Sequence, residues 1–170
     1  MSTRSAMDLA ALVGGAVSWY HLAQYKGGGF RMDKSKVIEL LNKCLAWEYR
    51  AHLLYAHYAE FVGGISTGWL KSHFEEEAEE AIGHAGKVRG IIAHLDGVPT
   101  VTPDPTPIPH TLNAKEMLQN ALATEKGAAA AYAEVLPLLK EDHWAMHDIS
   151  HIYMDEVKAA EEVEQILRES

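Results

Sequence analysis

From residue 32 onward, apolar residues return every three or four positions. Over 33–62 the repeat is carried by Val37, Leu40, Leu41, Cys44, Leu45, Ala51 and Tyr55. That spacing puts one apolar stripe on one face of a helix. "GGISTG" ends the run. A second helix is predicted over 68–96, with Phe74, Ala78, Ala81, Val88, Ile91, Ile92 and Leu95 inward and Gly97 as its stop. A third covers 114–139 and a fourth 142–168, with "PLLKEDH" between them. Pro137 should kink or end the third helix, because it lacks an N–H and clashes with the preceding turn. No strand alternation, glycine-rich phosphate loop, nucleophile elbow or Cys-x-x-Cys interrupts this pattern. The chain therefore reads as all-α, built on four long helices.

"GVPTVTPDPTPIPHT" separates the second and third helices and holds Pro99, Pro103, Pro105, Pro107 and Pro109. Such a segment extends as polyproline at roughly 3.1 Å per residue, so ten residues reach about 30 Å. A twenty-residue helix has about that length. The linker can carry the chain back to the other end of a bundle and make helices two and three parallel, whereas short loops force antiparallel neighbours.

Residues 1–31 differ from the rest. "AMDLAALVGGAVSWY" is apolar but short for a spanning helix and contains Asp8. It lacks the small-residue cleavage pattern of a signal peptide. "QYKGGGFRMDKSK" then breaks the pattern with three glycines. The expected organisation is an N-terminal apolar extension over 1–31, helical and then glycine-rich, followed by a bundle over 32–170. The extension is a candidate docking segment for a protein partner.

Net charge is −9, from 24 acidic and 15 basic residues, with no basic run. That disfavours nucleic acid as a partner. The single cysteine, Cys44, rules out an intrachain disulfide and fits a reducing, cytoplasmic setting.

The charges that matter lie on the wrong face. Glu48 shares the stripe of Leu41, Cys44, Ala51 and Tyr55. Glu125 falls among Leu118, Ala121, Leu122, Ala128 and Tyr132, and Glu156 among Ile149, Ile152, Ala159, Ala160 and Val163. His84 falls among Ala81, Val88 and Ile91 on helix two. A buried unpaired carboxylate is costly enough to protonate or be replaced. One such group could reach solvent at the stripe's edge. Four, one from each helix and near the middle, point to a shared cation, and carboxylates with imidazole suit iron, manganese or zinc. Tyr55 and Tyr132 read as core aromatics whose hydroxyls bond the buried carboxylates.

With those residues placed, the chain resembles the bacterioferritins and related ferritin-like proteins over about 33–168. The likeness is carried by "LAWEYRAHLLYAHYAEF", "HFEEEAEEAIGHAGKVRGIIAHLDGVPT", "EMLQNALATEKGAAAAYAEVL" and "MDEVKAAEEVEQIL". It implies a ferritin-like four-helix bundle with one long Pro-rich crossover. It also implies a site where six residues hold two irons: a glutamate from each of helices one and three, and Glu-x-x-His from each of helices two and four. Glu48, His84, Glu125 and Glu156 match. Ala81 stands at the bridging glutamate of helix two and Ala159 at the histidine of helix four. Ile82 stands at the haem methionine, so haem is not expected.

The resemblance thus implies an iron-binding protein with one or two ions per chain, Fe(II) oxidation and iron handling or storage as its activity, and a homo-oligomer, dimer or shell. Glu77 and Glu80 on helix two and His52, four after Glu48, are possible compensating ligands. Each also has a plain reading: Glu77 and Glu80 as members of a solvated acidic cluster, His52 as a rim histidine. The alternative for the whole chain is a non-catalytic structural or interaction protein on the same bundle, favoured by the two alanines and opposed by the retained carboxylates.

Overall fold

The structure is a computed structural model, and it describes residues 32–64 and 67–169. The N-terminal extension expected over 1–31 lies outside the described residues. Helix α1 is Lys34–Phe61, α2 Thr67–His94, α3 Ala114–Val135 and α4 His143–Glu169; a 3₁₀ turn, Leu136–Leu138, follows α3. No strand occurs among the described residues.

Local chemistry fixes the ends. The Asp33 carboxylate accepts from the N–H groups of Ser35 and Lys36 at the start of α1, and Asn113 does the same for Lys115 and Glu116 at the start of α3. Asp142 accepts from Ala145 N–H at 3.0 Å ahead of α4. Pro137 stops α3 at Val135, where the chain tightens to the 3₁₀ turn. At the end of α2 the left-handed residue is Asp96, at φ 65°, and not Gly97. The N–H of Gly97 closes on Ile92 O at 2.9 Å and that of Asp96 on Ala93 O at 3.0 Å, a Schellman cap. Gly97 is needed for another reason: a Cβ there would lie 2.9 Å from Ile38 and Ile92.

Hydrogen bonds and ion pairs give the topology. His52 to Ala78 O and Lys34 to Asp96 set α1 antiparallel to α2. Lys43 to Glu134 and Asn120 to Tyr58 set α1 antiparallel to α3. Helices α2 and α3 therefore run parallel. The segment between them lies along α1 from one end to the other. Asn42 holds Val98 O and Thr100 N–H, Ala46 O accepts from Asp104 N–H, and Tyr58 OH donates to Pro109 O. Arg50, almost fully buried, donates to Thr106 O, Pro107 O and the Thr124 hydroxyl, tying strap, α1 and α3 together.

The core divides in two. One apolar cluster is built on Leu41, Leu45, Val88, Ile92, Tyr132 and Ile149. The other is built on Leu54, Tyr58, Phe74, Met117, Leu118 and Val163. Glu48, His84, Glu125 and Glu156 belong to neither and fall between them in sequence on all four helices.

Candidate metal centre in the bundle

Each helix contributes one side chain to the polar layer because each interrupts its apolar stripe there. Glu48, Glu125 and Glu156 are 1 %, 3 % and 4 % exposed and His84 is 5 % exposed. Burial at this level is what makes their arrangement informative. His84 Nδ1 is 2.9 Å from Glu156 Oε1 and 3.8 Å from Glu48 Oε1. One ligand atom from each of Glu48, His84 and Glu156 lies within 4.8 Å of the others, a spacing that a single cation can span. Glu156 also lies close enough to Glu125 and Glu48 for its charge to act on both.

Two tyrosines complete the layer. Tyr55 OH donates to Glu125 Oε1 at 2.5 Å, and Tyr132 OH donates to Glu48 Oε1. These partners satisfy lone pairs that burial would otherwise strand. Burial, followed by the charge of Glu156, raises the pKa of both Glu48 and Glu125 well above the usual carboxylate range. Burial also pushes Glu156 up to about 7 and lowers that of His84, favouring neutral imidazole. Neutral imidazole is the form that ligates metals.

Among the compensating candidates, Glu77 turns inward. It is half-buried, and burial followed by the charge of Glu125 pushes its pKa up to about 8. The other four glutamates of "FEEEAEEAIGHAGK" are exposed. Glu80 is one of these, yet its carboxylate is 3.6 Å from His84 Nε2. His52 is committed elsewhere: its Nδ1 meets Ala78 O at 2.8 Å, and it does not line the central cavity. One residue escaped the sequence reading. Asp155 places Oδ2 at 3.8 Å from His84 Nε2. The available signal was its position one helical turn before Ala159, on the same face.

Ala81 and Ala159 line a cavity of about 10 Å³ between α2 and α4, together with Glu77, His84, Glu125 and Glu156. That is room for about one water-sized body. The residues present fit one ion held by Glu48, His84 and Glu156.

A family model for the ferritin-like domain matches residues 38–170. The chain belongs to the ferritin-like family. Solved structures agree. A ferritin-like, diiron-carboxylate protein from Bacillus anthracis is 30 % identical, with a TM-score of 0.74, over 79 % of this chain and 97 % of that one. The dodecameric thioferritin of Bacteroides fragilis, a bacterioferritin-related protein, is 25 % identical with a TM-score of 0.74, over 81 % and 88 %. The bacterioferritin of Rhodobacter capsulatus, solved with a metal-free dinuclear site and haem iron, is 27 % identical with a TM-score of 0.69, over 79 % and 84 %. A search of curated proteins finds no match.

Proposed function

We propose that this ferritin-like chain binds Fe(II) at the centre of its bundle, through Glu48, His84 and Glu156, with Glu125 and Glu77 as neighbouring carboxylates. The observation that carries the reading is the buried triad itself. Two carboxylates and an imidazole from three helices converge within 4.8 Å, sealed by apolar layers on either side. A bundle without a cation gains little from burying them, since each costs more than an apolar replacement. The relatives include diiron-carboxylate proteins, which supports iron over manganese or zinc. Bound iron of this kind can give up an electron to oxygen or peroxide. The chain's own part is to hold the ion, exclude bulk water and receive or release protons at the raised carboxyl groups.

Anaerobic titration of metal-free protein with Fe(II) tests this directly. We expect one tightly bound ion per chain. The double variant Glu48→Ala, Glu156→Ala should weaken binding at least a hundredfold. Unchanged binding in that variant would place the site elsewhere, and two tight ions in the wild type would show that a second position has been rebuilt.

A second reading is favoured by one observation. Ala81 and Ala159 remove the bridge and one imidazole of the two-iron pattern and leave only a small cavity. On this reading the bundle is a structural or interaction protein that has lost its metal. Zero tight ions in the same titration would select it.

A further inference from the structure

His84 has two faces, and only one looks at the central triad. Nδ1 is within hydrogen-bond reach of Glu156, at 2.9 Å. Nε2 has no hydrogen-bond partner among the described residues. Its nearest carboxylate oxygens are Glu80 Oε1 at 3.6 Å and Asp155 Oδ2 at 3.8 Å, both beyond a hydrogen bond. The residue is 5 % exposed, and this nitrogen is aimed at two carboxylates from different helices. One ligand atom from each of Glu80, His84 and Asp155 lies within 4.8 Å of the others.

The proton on the ring decides what Nε2 can do. A histidine whose one nitrogen donates to a carboxylate presents the lone pair of the other, the usual carboxylate–histidine–metal arrangement. In the tautomer whose Nδ1–H donates to Glu156, the lone pair is on Nε2, facing Glu80 and Asp155. Access is also in place. Glu77, Glu80, Asp155 and Ala159 line the central cavity and line, with Lys158 and Glu162, an outer groove between α2 and α4, where Lys158 Nζ pairs with Asp155 Oδ1 at 3.3 Å and leaves Oδ2 toward His84. Carboxylates along such a groove raise the local concentration of cations.

We propose that Glu80, His84 Nε2 and Asp155 form an outer divalent-cation site, at the mouth of the central cavity. This rests on the central-site reading only in that both use His84. A neutral imidazole has one lone pair, so an ion at Nε2 and an ion at Nδ1 are alternatives for one ring. An ion captured outside reaches the centre when the ring proton changes nitrogen and the lone pair turns inward. The alanines at 81 and 159 leave the space through which it passes.

Zinc(II) on crystals of the full chain, located by anomalous scattering, tests the proposal. Glu48→Gln breaks the inner triad and frees His84 for the outer one. In that variant we expect zinc beside Nε2, touching Glu80 and Asp155. Adding Glu80→Gln and Asp155→Asn should remove it and weaken zinc binding in solution at least tenfold. Both added changes are at side chains 51 % and 34 % exposed, and circular dichroism checks that the helices remain. Zinc against Nδ1 in the wild type, with none beside Nε2 in Glu48→Gln, overturns the outer site and leaves the central one standing. Zinc beside Nε2 in Glu48→Gln with none at the centre of the wild type does the reverse. Zinc in neither place overturns both.

Discussion

Glu77 shows how single residues set the chemistry. Its carboxyl is pushed up to about 8 and that of Glu156 to about 7, against an ordinary value near 4.5. Between pH 4.5 and these values the folded chain carries protons that the unfolded chain has lost. Stability therefore falls as pH rises across that window, by about 1.4 kcal/mol per pH unit for each such proton. His84 acts in the opposite sense, but only below its ordinary 6.5, and as one group against several. Metal-free protein should lose thermal stability from pH 5 to pH 8, and Glu77→Gln should flatten the slope. A melting temperature independent of pH over that range would contradict the burial described above. At this scale the sequence was a good guide wherever a charge interrupted an apolar stripe: Glu48, His84, Glu125 and Glu156 were legible for that reason. Asp155 was not, because its approach to His84 depends on how α4 is rotated against α2, which no single helix records. His52 has the right spacing from Glu48, but a backbone carbonyl across the α1–α2 seam claims its ring.

The four helices were legible as elements because each keeps a three- and four-residue apolar repeat on both sides of the residue it gives to the polar layer, and their ends moved by only a few residues. The third helix ends soonest relative to expectation, at Val135, two residues before Pro137, whose ring and missing N–H do not continue an α-helix. The end of α2 was harder to see. Gly97 suggested the left-handed position, yet Asp96 adopts it while Gly97 fills a gap beside Ile38 and Ile92. A left-handed backbone costs an ordinary residue roughly 1 kcal/mol or more. The exposed Lys34–Asp96 pair contributes little against that. Asp96→Gly should then stabilise the protein by about 0.5–1 kcal/mol and raise the melting temperature by about 2 °C. A fall in melting temperature would mean that the ion pair outweighs the strain. The strap along α1 also depends on one side chain more than its length suggests: Arg50 donates to two strap carbonyls, and the planar fork that reaches both is not available to lysine.

Across the whole molecule, the long strap makes α2 and α3 parallel and so sets four polar side chains at one height. The same layer has a mechanical consequence. It divides the apolar packing into two bodies, with the four helix backbones and a layer of carboxyl, tyrosine and histidine contacts between them, so the seam is where cooperativity is weakest. Such bodies behave as separate opening units when little binds them together. In metal-free protein the amides of α1 near Leu41 and near Leu54 should exchange with deuterium at different limiting rates, one for each half. A cation clamped by Glu48, His84 and Glu156 stitches three helices across that seam, and saturating zinc(II) should bring the two rates together. Equal rates with and without metal would mean that the halves already open as one. The ion, on this view, is also what turns two half-length bundles into a single cooperative fold.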